Sequence, residues 1–241
     1  MQRFTRTLPI LVLALLAPVA AAQAQPIGVA AQVATESYRT PAGGVQGGLA
    51  REDPVFRQDL IATDPSGAAR LSMADDTVIT VGPGSQVVLD EFLYNPGANS
   101  GDVATRITVG GMRFISGQLP SDSYVIRTPV AVIGLRGTDV TVLVTPGSGA
   151  TRLIVLVGEA WIQPRNCQAV TYVPAGRMLD ILTTACGGQE GAAAPLPGWA
   201  RGRAFAATSG DVVSHDTVTN DGDDGNPGGA TGGGSGGNTP D

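Results

Sequence analysis

Ala69, Leu71 and Met73 are apolar, while Arg70 and Ser72 between them are polar. After Asp75-Asp76 the alternation resumes through Thr77, Ile79 and Val81, and after Gly82-Pro83-Gly84-Ser85 it continues through Val87, Leu89 and Phe92. A period of two is the repeat of a pleated strand, whose side chains point to opposite faces in turn. The interruptions are turn residues at short spacing, so the chain reads as many short strands. Thirty-four glycines and 17 prolines against few aromatics fit that reading. The fold class expected is all-β, a multi-stranded roll, solenoid-like or sandwich arrangement, with a disordered C-terminal tail.

The same pattern runs through most of the chain. Ile27–Val33 reads as a first strand, Thr40–Gly48 as a glycine-rich loop, and Asp59–Thr63 as a short strand. Asp64-Pro65-Ser66-Gly67 has the composition of a β-turn. Residues 95–101 read as a longer surface loop, and Gly110-Gly111 as a bend or bulge between Ile107–Val109 and Phe114-Ile115. Leu153–Val157 is apolar on both faces, as in a fully buried strand. Ala169–Val173 and Met178–Leu182, around Pro174-Ala175-Gly176, read as a last hairpin. Gly82, Gly110 and Gly134 each follow β-branched residues, a hint of a coiled wall.

The first 24 residues predict a signal peptide. Arg3 and Arg6 precede an apolar run from Leu8 to Ala17, and Ala22-Gln23-Ala24 offers small-x-small cleavage after Ala24. The run is shorter than the ~20 residues of a membrane span. No cysteine stands at the cleavage point and no later stretch is a candidate span, so no membrane span is expected after cleavage. Removing the segment takes away two arginines and no acid, which moves the formal charge from −6 to −8. An acidic chain is poorly suited to nucleic acid, whose binding relies on basic side chains neutralising phosphates. There is no lysine, so Schiff-base and P-loop chemistry are excluded. Cys167 and Cys186 predict one disulfide in an exported protein. Two cysteines do not make a zinc site.

Chemistry is otherwise sparse. The one histidine, His215, lies outside the expected core, so a serine or cysteine nucleophile would lack a histidine base there. Asp75-Asp76 and Asp90-Glu91 are carboxylate pairs, the first read as a turn and the second as a strand end. Asn220–Asn226 lacks the alternating ligands and closing glutamate of a calcium loop, and reads as an acidic linker. No catalytic residue, metal or cofactor is expected.

The stretch from Arg127 to Val140 stands out: an apolar middle between two arginines. Its candidate residues are Arg127, Thr128, Pro129, Gly134, Arg136, Gly137, Thr138 and Asp139. Arg127 and Arg136 are expected either to pin a loop through carboxylates such as Glu159 and Asp139, or to face a protein partner, where arginine is favoured. Gly134 and Gly137 are expected to serve backbone geometry. Pro129, without an N–H, is expected at a strand start or edge.

Residues 127–138, Arg-Thr-Pro-Val-Ala-Val-Ile-Gly-Leu-Arg-Gly-Thr, closely resemble the signature of the FecR-type periplasmic domain. The aspartate turn at 72–77, the proline-serine turn at 80–85, Gly111–Gly117 and Val157–Ala160 resemble further parts of that family, in order, over roughly residues 27–182. The resemblance implies a β-rich periplasmic domain with a binding role and no catalytic residues. The best-known members are iron-uptake regulators that join a cytoplasmic anti-sigma segment, through one membrane helix, to this domain. There the domain reads an outer-membrane siderophore receptor. This chain departs by having a cleavable signal where those members have a cytoplasmic arm. The expected organisation is a signal peptide over 1–24, a FecR-type β domain over 26–187, a linker over 188–219 and a Gly/Asp-rich tail over 220–241. A short helix around Trp199 and Phe205 is expected in the linker. The expected function is a non-enzymatic, periplasmic or secreted protein-binding module in envelope sensing. The partner would be another envelope protein; a structural or cell-wall glycan-binding role is the alternative.

Overall fold

The computed structural model describes residues 24–34 and 36–186, with the backbone of 189–195. Residues 1–23 of the expected signal peptide, the helix expected around Trp199 and Phe205, His215 and the tail over 220–241 lie outside the described residues.

Fifteen strands follow one another among the described residues: β1 (Gly28–Val33), β2 (Ser37–Thr40), β3 (Gly47–Gly48), β4 (Pro54–Val55), β5 (Leu60–Thr63), β6 (Ala69–Met73), β7 (Val78–Val81) and β8 (Gln86–Asn95), then β9 (Ser100–Ile115), β10 (Tyr124–Arg127), β11 (Ala131–Val144), β12 (Thr151–Pro164), β13 (Thr171–Pro174), β14 (Arg177–Ile181) and β15 (Gln189–Pro195). Among the described residues a single 3-10 turn, Ser121–Ser123, precedes β10. The chain is all-β, as the alternation requires.

Three long strands make the architecture. Residues 100–109 of β9 pair with β8, whereas 110–115 pair with β7 and β11. The first half of β11 pairs with β10 and its second half with β9. In β12 the first half pairs with β14 and the second with β13. One layer therefore runs β3-β2-β5-β8-β9-β10-β11-β12-β13. The other runs β4-β1-β6-β7-β9-β11-β12-β14-β15, and β9, β11 and β12 belong to both. The inward side chains of both layers form one apolar cluster, with Ile61, Ile107, Ile126, Ile133 and Ile162 from the first and Leu71, Ile79, Phe114, Val142 and Leu153 from the second. Burying that shared face is what folds the strands over into a roll. Among the described strands only β9 and β10 pair in parallel.

The fold-over needs special backbone where each long strand turns the corner. Gly110 in β9, Gly137 in β11, Gly158 in β12 and Gly176 before β14 have φ of 89°, 58°, 76° and 80°. That region is open to glycine and costly for other residues. At Gly158 a side chain would also meet the Gly137 carbonyl oxygen at 2.3 Å. The β11–β12 register shifts at this place, between Arg136 and Asp139.

The structure corrects several local expectations. Residues 169–182 are not a hairpin: β13 and β14 both lie antiparallel to β12, as one strand kinked at Ala175-Gly176. Their N–H groups both turn toward β12, to Gly158 and Val155. A Pro-Ala-Gly triplet reads the same way in a reversal and in a corner. The loop expected over 95–101 shrinks, because β8 runs to Asn95 and β9 starts at Ser100. Gly47-Gly48, read as loop, pairs with β2. Leu153 and Ile154 are buried on both faces, but Val157, next to Gly158, is 57% exposed. β15 pairs with β14 inside the stretch read as linker.

Candidate functional site

The 127–139 stretch forms the end of β10, a tight turn and most of β11. Thr128 is fully buried; its hydroxyl donates to the Ala131 carbonyl at 3.2 Å and accepts from the Ala131 N–H at 3.0 Å. The Thr151 hydroxyl lies 3.0 Å from it, and Arg165 Nε donates to the Thr128 carbonyl at 2.9 Å. Pro129 occupies the tip of this turn, not a strand start, and its missing N–H costs no ladder bond there. Gly134 faces Trp161 across the β11–β12 pair. A Cβ on it would fall 1.9 Å from the indole, so glycine is what lets the ring lie on the sheet.

The arginines pair otherwise than the sequence predicts. Asp139 is taken by Arg113, whose Nε and Nη2 reach its two oxygens at 2.9 and 2.6 Å. Both side chains are 15% exposed, and the bond to Asp139 pushes the Arg113 pKa up. Arg136 instead meets Asp122 at 3.2 Å, with side chains 48% and 76% exposed. An exposed pair of that kind contributes little, so Arg136 does not pin a loop through Glu159 or Asp139. Glu159 lies opposite Arg136 in the register, with no ion pair between them. Thr138 is tied through its backbone: its N–H donates to Ser116 Oγ at 2.8 Å and its carbonyl accepts the Ser116 N–H at 2.9 Å.

Arg127 belongs to a different group. It stands beside Arg106 in the parallel β9–β10 register. Both face Asp90 of β8: Arg106 in a two-point contact at 3.1 and 2.9 Å, Arg127 at 4.0 Å. One carboxylate serves two guanidinium groups. A depression of about 360 Å³ over this row is also lined by Arg57, Gln58 and Glu91. Arg57 is exposed and has no ion-pair partner among the described residues. Arg57 and Gln58 line a second cleft as well, of about 480 Å³, walled by Ile27, Phe56, Phe92 and Tyr94. The two depressions share a rim, so an arginine-rich patch adjoins an aromatic wall. Phe92 and Tyr94 meet edge to face at 6.4 Å, which holds that wall.

A second polar assembly is internal. Asp75 is fully buried and accepts from the Thr77 N–H at 3.1 Å, the Thr77 hydroxyl at 2.7 Å and the Tyr124 hydroxyl at 3.0 Å. Tyr124 in turn accepts the Leu119 N–H at 2.9 Å. Burial pushes its pKa up to about 12; the nearby Asp75 charge adds to this and the Leu119 N–H opposes it. The knot ties the β6–β7 turn to the segment before β10. Three of the four carboxylates in the two pairs are thus engaged: Asp75 in this knot, Asp76 by the Gln118 amide, Asp90 by arginine. Among the described residues no three His, Cys, Asp or Glu side chains are grouped to hold a metal. Cys167 and Cys186 are disulfide-bonded, joining the chain after β12 to the chain after β14. Among the described residues no helix is long and apolar enough to cross a membrane.

Residues 59–160 match the family model described as FecR protein. These residues are a FecR domain. The match runs from β5 to the second half of β12; β1 to β4 and β13 to β15 lie outside it. The search of curated proteins found no match. Two crystal structures, each of a protein described as an anti-sigma factor from Parabacteroides distasonis, are similar at 14% identity with TM-scores of 0.44 and 0.43. Each similarity covers 56% of this chain and 59% of the other. The FecR domain holds the Thr128 turn, the Asp75 knot and the Arg113–Asp139 pair. Sequence reasoning missed the last two and missed Arg57 and Arg106 altogether, and it read Asp90 only as part of a carboxylate pair at a strand end. Arg106 sits at a polar position of an alternating strand, a signal shared by every surface arginine, and only pairing places it beside Arg127.

Proposed function

We propose that this chain is an exported FecR-domain module that senses state in the cell envelope by binding another protein, without catalysis of its own. The single observation that carries the site is the shared rim at Arg57, where a guanidinium without an ion-pair partner among the described residues joins the Arg106–Arg127 row to the aromatic cleft. Arginine and aromatic side chains on a preformed depression are the usual anchors of protein recognition. The surface complements an extended acidic segment carrying one apolar side chain: carboxylates for the arginines, the apolar group for the wall of Phe56, Phe92 and Tyr94. The disulfide and the signal-like leader support placement outside the cytoplasm.

The test is in-cell crosslinking followed by affinity capture, wild type against Arg57→Glu. The expected result is an envelope protein captured by wild type and lost, at least tenfold, in Arg57→Glu with an unchanged melting temperature. Equal capture by both would refute the placement of the site. Retention on peptidoglycan with no protein captured would favour the glycan-binding reading.

A further inference from the structure

Arg57 and Gln58, which rim both depressions, stand on the turn over residues 56–59 that links β4 of the second layer to β5 of the first. Gln58 has a φ of 66°, a left-handed conformation that is costly for a residue with a side chain. Such a conformation persists only where the surroundings hold it, and residues held in this way cluster at binding sites. Here the turn is held at several points. The Gln58 N–H donates to the Leu89 carbonyl at 2.6 Å, and the Leu89 N–H donates to the Asp59 carbonyl at 3.0 Å. The Asp59 N–H donates to the Phe56 carbonyl at 3.2 Å, while Asp59 Oδ2 accepts the Phe56 N–H at 2.7 Å.

The Asp59 carboxylate is the charged member of this set. Its side chain is 1% exposed, and Arg39 Nε of β2 lies 2.7 Å from the same Oδ2. Arg39 Nη1 also donates to the Pro54 carbonyl at 3.1 Å, and its guanidinium lies 4.9 Å over the Phe56 ring. One carboxylate therefore anchors both the backbone of Phe56 and the arginine that backs its ring. From β8, Asp59 is met by the Leu89 backbone, and the carboxylate next in that strand, Asp90, faces Arg106 and Arg127. Burial raises the Asp59 pKa above 3.8, against the Phe56 N–H and Arg39, which lower it. With the folded value above the unfolded one, the folded protein takes up this proton first, so Asp59 does not itself drive acid unfolding.

We propose that Asp59 is an acid-released latch on this turn: its carboxylate holds Phe56, Arg57 and Gln58 in the form that lines the cleft, and its protonation lets Gln58 leave the left-handed conformation and Arg57 move off the rim. A neutral carboxyl accepts the Phe56 N–H less strongly and no longer attracts Arg39. That acid thereby closes the Arg57 site to a partner rests on the protein-binding reading above; the movement of the turn does not.

The experiment is an NMR titration of the full chain from pH 7 to pH 4 without a partner, so its outcome is independent of whether any protein is captured. The Phe56, Arg57 and Gln58 amide resonances of the wild type are expected to move together in one step with a midpoint above 3.8, while buried Val142 in β11 stays in place as a control for the fold. Asp59→Asn keeps the shape and removes the charge, so it is expected to show the acid positions already at pH 7, with no step. Glycine adopts the left-handed conformation without cost, so Gln58→Gly is expected to reduce the Arg57 step at least twofold. The absence of a step by pH 4 would overturn the proposal. So would a step at Phe56 with Arg57 unmoved, or an Arg57 step of full size in Gln58→Gly.

Discussion

Replacing Tyr124 by Phe isolates one hydroxyl. The ring stays, with its edge-to-face contact to Phe114 at 5.8 Å. What goes is the donor to Asp75 Oδ2 and the acceptor for the Leu119 N–H. Asp75 is fully buried and has no basic partner in its hydrogen-bond set, so it keeps only the two bonds from Thr77. A hydrogen bond to a charged group is worth ~1.5–3 kcal/mol, and an orphaned buried N–H costs ~1–3 kcal/mol. The variant is therefore expected to lose about 3 kcal/mol at pH 7, or ~9 °C of melting temperature at ~3 °C per kcal/mol for a domain of this size. The loss should depend on pH. The Tyr124 pKa is raised on folding, from 10.0 to about 12, so the folded state holds the phenol proton. Its contribution is complete below pH 10.0 and is lost as pH rises through about 12. Urea melts of both proteins from pH 7 to 12 measure the difference, in which the titrations of the other tyrosines cancel. A gap that is absent at pH 7, or that stays constant to pH 12, would refute the knot as described.

Gly134→Ala should push Trp161 off the sheet, costing about 2 kcal/mol as an overpacked contact. A shifted Trp161 indole resonance with a lowered denaturation midpoint would report it; an unmoved indole would contradict the close approach. Arg136→Ala should leave stability within about 0.5 kcal/mol, as for other exposed pairs, whereas Asp139→Ala should cost about 3 kcal/mol by removing the two-point partner of the mostly buried Arg113. Thermal melts in which Arg136→Ala is the more damaging of the two would reverse that assignment. Cys167→Ser/Cys186→Ser should cost about 3 kcal/mol, the chain entropy of a loop of this length. Melting with and without reductant checks this, and the wild type should lose a similar amount when reduced.

Ala69–Met73, Thr77–Val81 and Val87–Phe92 were legible as strands because alternation is a local property, and the turn at Asp64–Gly67 was legible because its residues are the ones that turn requires. Pairing was not legible. Asp139 and Arg136 are neighbours in the chain, yet the bulge at Gly137 sends Asp139 to Arg113 and leaves Arg136 to Asp122 at the surface. The Arg57 cleft draws on residues as far apart as Ile27 and Arg127, which no spacing rule connects.

Read alone, the sequence determines the class of this protein: strands, turns, and the stretch at 127–138 that resembles a FecR domain. Those properties reside in short windows, where backbone preference and side-chain polarity act directly. Tertiary structure decides that Gly137 is a corner while Gly134 is a bed for Trp161, although each is a glycine in β11. It also decides which arginines pair inside the fold and which face outward. A glycine's role depends on what lies across the sheet, and a charge on what is buried beside it. Both are set only when the two layers close on their common core.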